Sequence, residues 1–369
     1  MINPTNMRVN VNTIKNNIES IQKELGDRTK IMPVIKGYAY GIGFDIISLA
    51  ISESPLVGVA TVAEAVMLKN FYGGEIFILY QPGLEDIPFI NEHGFHVGVS
   101  DNIEFLKLLN KKSITPKKIH LNIECGSGML GIKIANLKKI CKKIKALKNI
   151  VVDGIYMHYS CTESDCNEDV KFSSTQTELF KFAIRIAEDI LGEIPFKHAG
   201  CSSALIAQPN ARYNMVRIGI LLYGYYPALH LREFIDVKPA LKLTTKIIQI
   251  TEYPAGYYIG YSRMFTTFRK TKVATISGGY ADGINRSLFE NGDVVVNGQK
   301  APIIGQICMN IAMIDITDIK GTIKHGDEVA LWDNDIITLY DYAIHSNTDI
   351  VDCMVRAGKN LNCVVDNYI

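Results

Sequence analysis

The sequence predicts an α/β chain: an N-terminal (β/α)8 TIM-like barrel over residues 1–235, then a C-terminal all-β domain over residues 236–369. Three observations carry that reading. Short apolar runs alternate with amphipathic stretches through the first two thirds of the chain, the spacing of βαβ crossover units. Eight such runs occur, the number that closes into a barrel. Past about residue 239 long helical periods become scarce, and short strand-like runs joined by turns take over.

Taken in order, residues 7–11 (MRVNV) alternate like a short strand. Residues 12–25 place Ile14, Ile18, Ile21 and Leu25 on one helical face and leave Lys15 and Glu19 outside it. The first barrel run, 31–35, leads straight into Lys36 and the glycine-punctuated GYAYGIG. Both faces of such a run need covering, which suits a buried parallel strand. Lys36 therefore stands where a buried strand opens into a loop, and barrels gather reactive groups at that end of their strands. Residues 45–51 can start a helix. Runs at 56–61, 75–80, 95–99, 118–124, 152–160, 195–200 and 214–219 complete the eight, with helical stretches at 62–71, 103–109, 136–147 and 175–191 between them. No GxGxxG follows the first run to support an open doubly wound sheet. Beyond the barrel, 241–252, 272–276, 293–296, 301–304, 312–316 and 328–332 read as strands, and Asn297-Gly298 reads as a hairpin turn.

Hydrophobic residues make up 47% and charged residues 21%, with a formal net charge of +1. That balance leaves no electrostatic footprint for a nucleic-acid backbone. No signal segment and no uncharged run of spanning length is apparent, so a soluble, cytoplasmic protein without a membrane segment is expected. The eight cysteines form no CxxC pair and read as reduced thiols. His158, Cys161 and Cys166 match no common ligand spacing, and no metal is expected.

Several stretches at strand ends share a further likeness. VIKGYAYGIG (34–43) resembles the pyridoxal-phosphate attachment motif of the alanine racemase family. MHYS (157–160), HAGCSS (198–203), and VRIGI (216–220) with LYG (222–224) resemble its sixth-, seventh- and eighth-strand motifs. IGYS (259–262), GYADG (279–283) and PIIGQICMN (302–310) resemble motifs of its β domain, and all come in the family's order across residues 30–310.

The resemblance implies a fold-type III pyridoxal 5'-phosphate enzyme that racemises a small amino acid, L-alanine to D-alanine, with two bases. Removing a proton from an unactivated α-carbon needs an electron sink, which the cofactor supplies. Inversion needs a base on each face, and the resemblance implies Lys36 for one and Tyr261 for the other. It implies Lys36, Tyr40, His158, Ser202, Arg217, Gly219 and Ile220 around the cofactor, and Met309 with Tyr261 at the substrate. Arg217 would face the pyridine nitrogen, where a group unable to accept a proton leaves the ring neutral and a weaker sink. Tyr261 would come from a partner subunit, which implies a homodimer with shared active sites. Read singly, these residues have plainer meanings: Ser202 a helix N-cap, His158 a core histidine, Arg217 a salt-bridged surface group, Tyr261 interface packing.

The sequence also departs from the family pattern. Met129 stands where an arginine is usual, and Asn122 where a lysine is usual. Tyr38 replaces an asparagine, Ile42 a histidine, Cys201 an asparagine and Asn310 an aspartate. Residues 349–361 lack the expected phosphate tyrosine, leaving Arg356 or Lys359 as replacements. The cofactor frame is thus retained while the substrate surroundings are rebuilt. That opens a serine or broad-specificity racemase as an alternative. Two further rivals are a fold-type III decarboxylase, which would place a carboxylate at the pyridine nitrogen, and a non-catalytic pyridoxal-phosphate-binding protein, which would lack the β domain carrying Tyr261.

Overall fold

The computed structural model describes residues 4–113 and 115–366. The chain forms two compact units, and it passes between them more than once. One unit comprises Asn12–Gly37 and Ser48–Lys238; the other comprises Met1–Val11, Tyr38–Ile47 and Pro239–Ile369. The division is therefore not a single cut near residue 235, because two N-terminal stretches group with the C-terminal part.

The first unit is a parallel barrel. Its strands are Lys30–Pro33, Leu56–Val59, Glu75–Ile78, His96–Val99, Lys117–Glu124, Ile150–Tyr156, Phe196–His198 and Met215–Ile218. The second to seventh pair in sequence order, and the eighth pairs with the first. The two remaining joints are made by Ile35 N donating to Gly58 O at 2.9 Å and Arg217 N donating to Gly200 O at 2.8 Å. Strands such as LVGV and HVGV are buried at every position, as a sheet covered on both faces requires.

Of the helices between the strands, two are capped at their N-termini by side chains. The Thr61 hydroxyl accepts from Glu64 N at the start of Val62–Leu68, and the Asn102 side chain accepts from Phe105 N at the start of Ile103–Lys112. Helix Ile134–Lys145 buries Leu137, Ile140, Cys141 and Ile144 and turns its lysines outward. The helix expected at 175–191 begins earlier, at Asn167. Its first turns bury Ser173, Gln176 and Thr177, which bond to the loop after the sixth strand: Tyr159 Oη lies 2.6 Å from Thr177 Oγ1, and Gln176 accepts from Ser160 N. A polar inward face hides the helical period that apolar residues would reveal.

The second unit is built on a 13-residue strand, Leu241–Tyr253. It pairs antiparallel with Thr271–Ser277, with Glu328–Trp332 and with the N-terminal strand Asn6–Val9. The stretch read as a strand at 7–11 thus belongs to this sheet, where it also pairs parallel with Asn362–Val365. Asp293–Val296 and Gln299–Pro302 form the expected hairpin over Asn297-Gly298, both at positive φ. That second strand lies two residues earlier than the 301–304 read from sequence. Two helices, Leu339–His345 and Ile350–Asn360, accompany the sheet. Tyr342 of the former packs edge-on against the fully buried Trp332. Among the described residues no helix is long and apolar enough to cross a membrane.

Candidate active site

At the C-terminal ends of the barrel strands lies a cavity of about 220 Å³. Lys36, Tyr80, Tyr156, His158 and Arg217 line it, drawn from the first, third, sixth and eighth strands or the residues just past them, together with Asn122 and Met129. A larger cleft of about 500 Å³, near Lys15, Lys30 and Pro55, sits at the opposite ends of the strands, where barrels seldom place chemistry.

Lys36 follows the first strand and is half-buried, with its Nζ 6.0 Å from the centre of the Tyr80 ring. The chain leaves Lys36 in an unusual way. Gly37, Tyr38, Ala39 and Tyr40 all take φ near +60°, a left-handed turn in which L-residues each cost about 1–2 kcal/mol. Such conformations persist only where the surroundings impose them, and they gather at functional positions.

Arg217, on the eighth strand, is buried and fully engaged. Nη1 donates to His198 O at 2.5 Å and reaches His198 Nδ1 at 3.1 Å. Nη2 donates to Met157 O at 2.7 Å and reaches His158 Nδ1 at 3.3 Å. Burial pulls its pKa below the usual guanidinium range, yet an arginine stays cationic there. Among the described residues no carboxylate makes an ion pair with it. His158 follows the sixth strand; crowding by protein and the cations of Arg217 and Lys36 push its pKa down to about 3. Its residue surface is open, which tempers the burial effect, but the two cations act in the same direction and the imidazole is neutral at pH 7.

Ser202 is buried after the seventh strand, and its hydroxyl accepts from Gly219 N at 3.2 Å. Ile220 starts the one-turn helix Ile220–Tyr223 beside it. The hydroxyls of Ser203 and Thr162, 2.7 Å apart, lie next to Cys201 and add to this polar corner; sequence reasoning did not assign them. Nor did it find the aromatic wall of Tyr80 and Tyr156, whose only signal is their place at strand ends.

Tyr40, Tyr261 and Met309 belong to the other compact unit. Tyr40 is buried, whereas Tyr261 and Met309 are 65% and 55% exposed. A Cβ at Gly260 would lie 3.0 Å from Met313 Cε and 3.4 Å from Gln306 N, so the turn before Tyr261 runs close to residues 305–306. Of the two residues offered as replacements for a phosphate tyrosine, Arg356 is tied to Asp352 at 2.7 Å within its own helix.

The donor set around the barrel cavity suits pyridoxal phosphate. One primary amine can bond to an aldehyde, one permanent cation can face a neutral ring nitrogen, and a hydroxyl with adjacent amides can meet a phosphate.

Comparison with known proteins gives a consistent picture. Residues 9–227 match the model for the alanine racemase N-terminal domain, and residues 240–365 match that for its C-terminal domain. Alanine racemase 2 of Caldanaerobacter subterraneus subsp. tengcongensis is 34% identical over 339 residues, covering 90% of this chain and 86% of its own. The structure of alanine racemase from Clostridium difficile 630 superposes with a TM-score of 0.90 at 28% identity, over 95% of this chain and 93% of that one. At 24% identity the Bartonella henselae alanine racemase, solved with covalently bound pyridoxal phosphate, shares the fold with a TM-score of 0.88, over 98% of this chain and 99% of its own.

Proposed function

The chain belongs to the alanine racemase family, and from that premise we propose that it interconverts L- and D-alanine using pyridoxal phosphate held on Lys36. The observation that carries this reading is the meeting of Lys36 and Arg217 in one cavity at the strand ends. A carboxylate in the place of Arg217 would have favoured the decarboxylase reading. When bound, the cofactor supplies the conjugated sink that makes an amino acid's α-proton labile.

The chain's own residues do the rest. The Lys36 amine anchors the group and moves the α-proton on one face. Arg217 keeps its protons and so leaves the ring nitrogen unprotonated. Ser202, the amides of Gly219 and Ile220, and the Tyr40 phenol serve the phosphate, while neutral His158 flanks the ring. Tyr261 serves the opposite face, with Met309 beside it at the substrate. We further propose that a second copy supplies Tyr261 and Met309. Tyr257, Tyr258, Tyr261, Met264, Phe268 and Met309 expose a large apolar area on the C-terminal unit, and an area of that kind marks an interface. All eight cysteines are free thiols, in keeping with a cytoplasmic location.

One observation favours a wider substrate range. Met129 and Asn122 both border the cavity, and Met129 is 61% exposed, so a flexible thioether stands where the family carries an arginine. Chiral chromatography after incubation with each proteinogenic L-amino acid tests both readings: alanine should racemise fastest, with serine next. Borohydride should fix the cofactor on the peptide containing Lys36. Racemisation that survives Lys36→Ala, or label on another lysine, would remove the assignment.

A further inference from the structure

Arg217 is a buried cation whose acceptors are carbonyls and imidazoles, an arrangement that is costly unless compensated elsewhere. A line of side chains runs from it through the barrel interior. His198 Nδ1 lies 3.1 Å from Arg217 Nη1, and His198 Nε2 lies 2.8 Å from His120 Nδ1. His120 Nε2 lies 3.4 Å from His96 Nδ1, and His96 Nε2 has Glu75 Oε1 as its nearest carboxylate, also at 3.4 Å. The three histidines come from the seventh, fifth and fourth strands, and Glu75 opens the third.

Donor capacity gives this line a direction. Arginine can only donate, so His198 Nδ1 must accept and its proton must sit on Nε2. That proton points at His120 Nδ1, which must accept in turn, leaving His120 protonated on Nε2. The same step sets His96, whose Nδ1 accepts with Asp153 Oδ2 3.6 Å away, and whose Nε2–H faces the Glu75 carboxylate at 3.4 Å without a hydrogen bond to it. Every link is thus fixed from the Arg217 end. The imidazoles are at most 1% exposed and sheathed by Phe77, Tyr156 and Phe196. Burial holds all three below the ordinary histidine range, so they stay neutral. Gly154 leaves the room for the His120 ring, because a Cβ there would lie 2.1 Å from its Nδ1. At the far end Glu75 also pairs with Lys118 at 2.8 Å, and Asp153 Oδ2 lies 3.9 Å from the same ammonium.

We propose that His198, His120 and His96 form a one-way hydrogen-bond relay, its last nitrogen facing Glu75, that holds Arg217 in place and carries its polarisation toward that carboxylate at the opposite mouth of the barrel. These are positioning residues. The relay rests on the assigned role of Arg217 only for its effect on the reaction. A competing occupant can be set against it. His96, His120 and Asp153 offer ligand atoms within 4.8 Å of one another, as a metal ion would need. Ligation by His120 Nε2 would move its proton to Nδ1, reverse His198, and set N–H against N–H at Arg217. The relay and the ion therefore demand opposite tautomers.

Imidazole nitrogen NMR on holoenzyme carrying 15N-labelled histidine separates them, with metal content read by mass spectrometry after dialysis against zinc. His96, His120 and His198 should all be neutral and protonated on Nε2. Glu75→Gln, at a half-exposed position, should shift the His198 nitrogens from three rings away and lower kcat about 3- to 10-fold, with KM changed less than about twofold. His96→Gln should retain most of the activity that His96→Leu loses. His120 protonated on Nδ1 with zinc retained would overturn the relay, and so would Glu75→Gln with unmoved His198 nitrogens and unchanged kcat. If the His198 nitrogens respond while the cofactor's absorption band stays put, the relay stands and the placement of Arg217 at the ring fails.

Discussion

Gly154→Ala offers the most direct test of how the barrel interior is packed. Gly154 does not have a positive φ, so space and not backbone freedom demands a glycine there. An added Cβ would lie 2.1 Å from His120 Nδ1, 2.6 Å from Cε1 and 2.7 Å from Cγ, well inside contact distance. The ring has little room to retreat. Its Nδ1 is bonded to His198 at 2.8 Å, and Phe77 lies against it with centroids 4.4 Å apart. Overpacking usually costs about 1–3 kcal/mol, and a clash with a ring held on both sides belongs at or above the upper end. A loss of about 3 kcal/mol corresponds to roughly 6–12 °C in Tm for a unit of this size. Urea unfolding of the cofactor-loaded protein measures it. A double-mutant cycle with His120→Ala supplies the control, since removing the ring should make the added methyl nearly harmless and give a coupling above about 1.5 kcal/mol. Gly154→Ala within about 0.5 kcal/mol of the parent, or additive with His120→Ala, would refute the packing argument.

Two further predictions concern assembly and acid stability. Mixing Lys36→Ala with Tyr261→Phe chains, each inactive alone, should restore part of the activity, because half the sites of a heterodimer then hold both bases; no recovery in verified heterodimers would show that sites are not shared. His96, His120 and His198 all have folded pKa values below the unfolded ~6.5, so the unfolded chain binds more protons as pH falls and stability declines from about pH 6.5 downward. The urea midpoint should drop between pH 7 and pH 5, and a flat profile there would speak against neutral interior imidazoles.

Much of the barrel was legible because most of its strands carry short apolar runs, and Lys36 and Arg217 stood out as charges at the end of one such run and within another. What escaped reading depended on partners distant in the chain. The N-terminal strand looks the same whether it joins a barrel or the other sheet, and its neighbours lie more than 230 residues away. The first turns of helix Asn167–Leu191 carry no apolar period, because Ser173, Gln176 and Thr177 face inward. Helix Ile350–Asn360, begun by Asp349, was passed over as part of a turn-rich domain. His96 and His120 were each a lone histidine in an apolar strand, and only the barrel's closure sets them in line with His198. Their signal in the sequence is a polar residue at an inward position on several strands at once.

The placement of the N-terminal strand has a consequence for synthesis. Asn6–Val9 lies between Leu241–Thr244 on one side and Asn362–Val365 on the other. While the ribosome is making the barrel, neither neighbour exists, and strand Asn6–Val9 waits with both edges unpaired. Residues 38–47, which pass out of the barrel unit and return, wait with it. The barrel can therefore begin to collapse during translation, but the sheet unit closes only after strand Asn362–Val365 has been made. An unpaired strand edge held open for that long is a place where chaperones or like chains can bind. Contacts of such sequence separation also slow the final step of folding. A strand made before the barrel finds its place only after it.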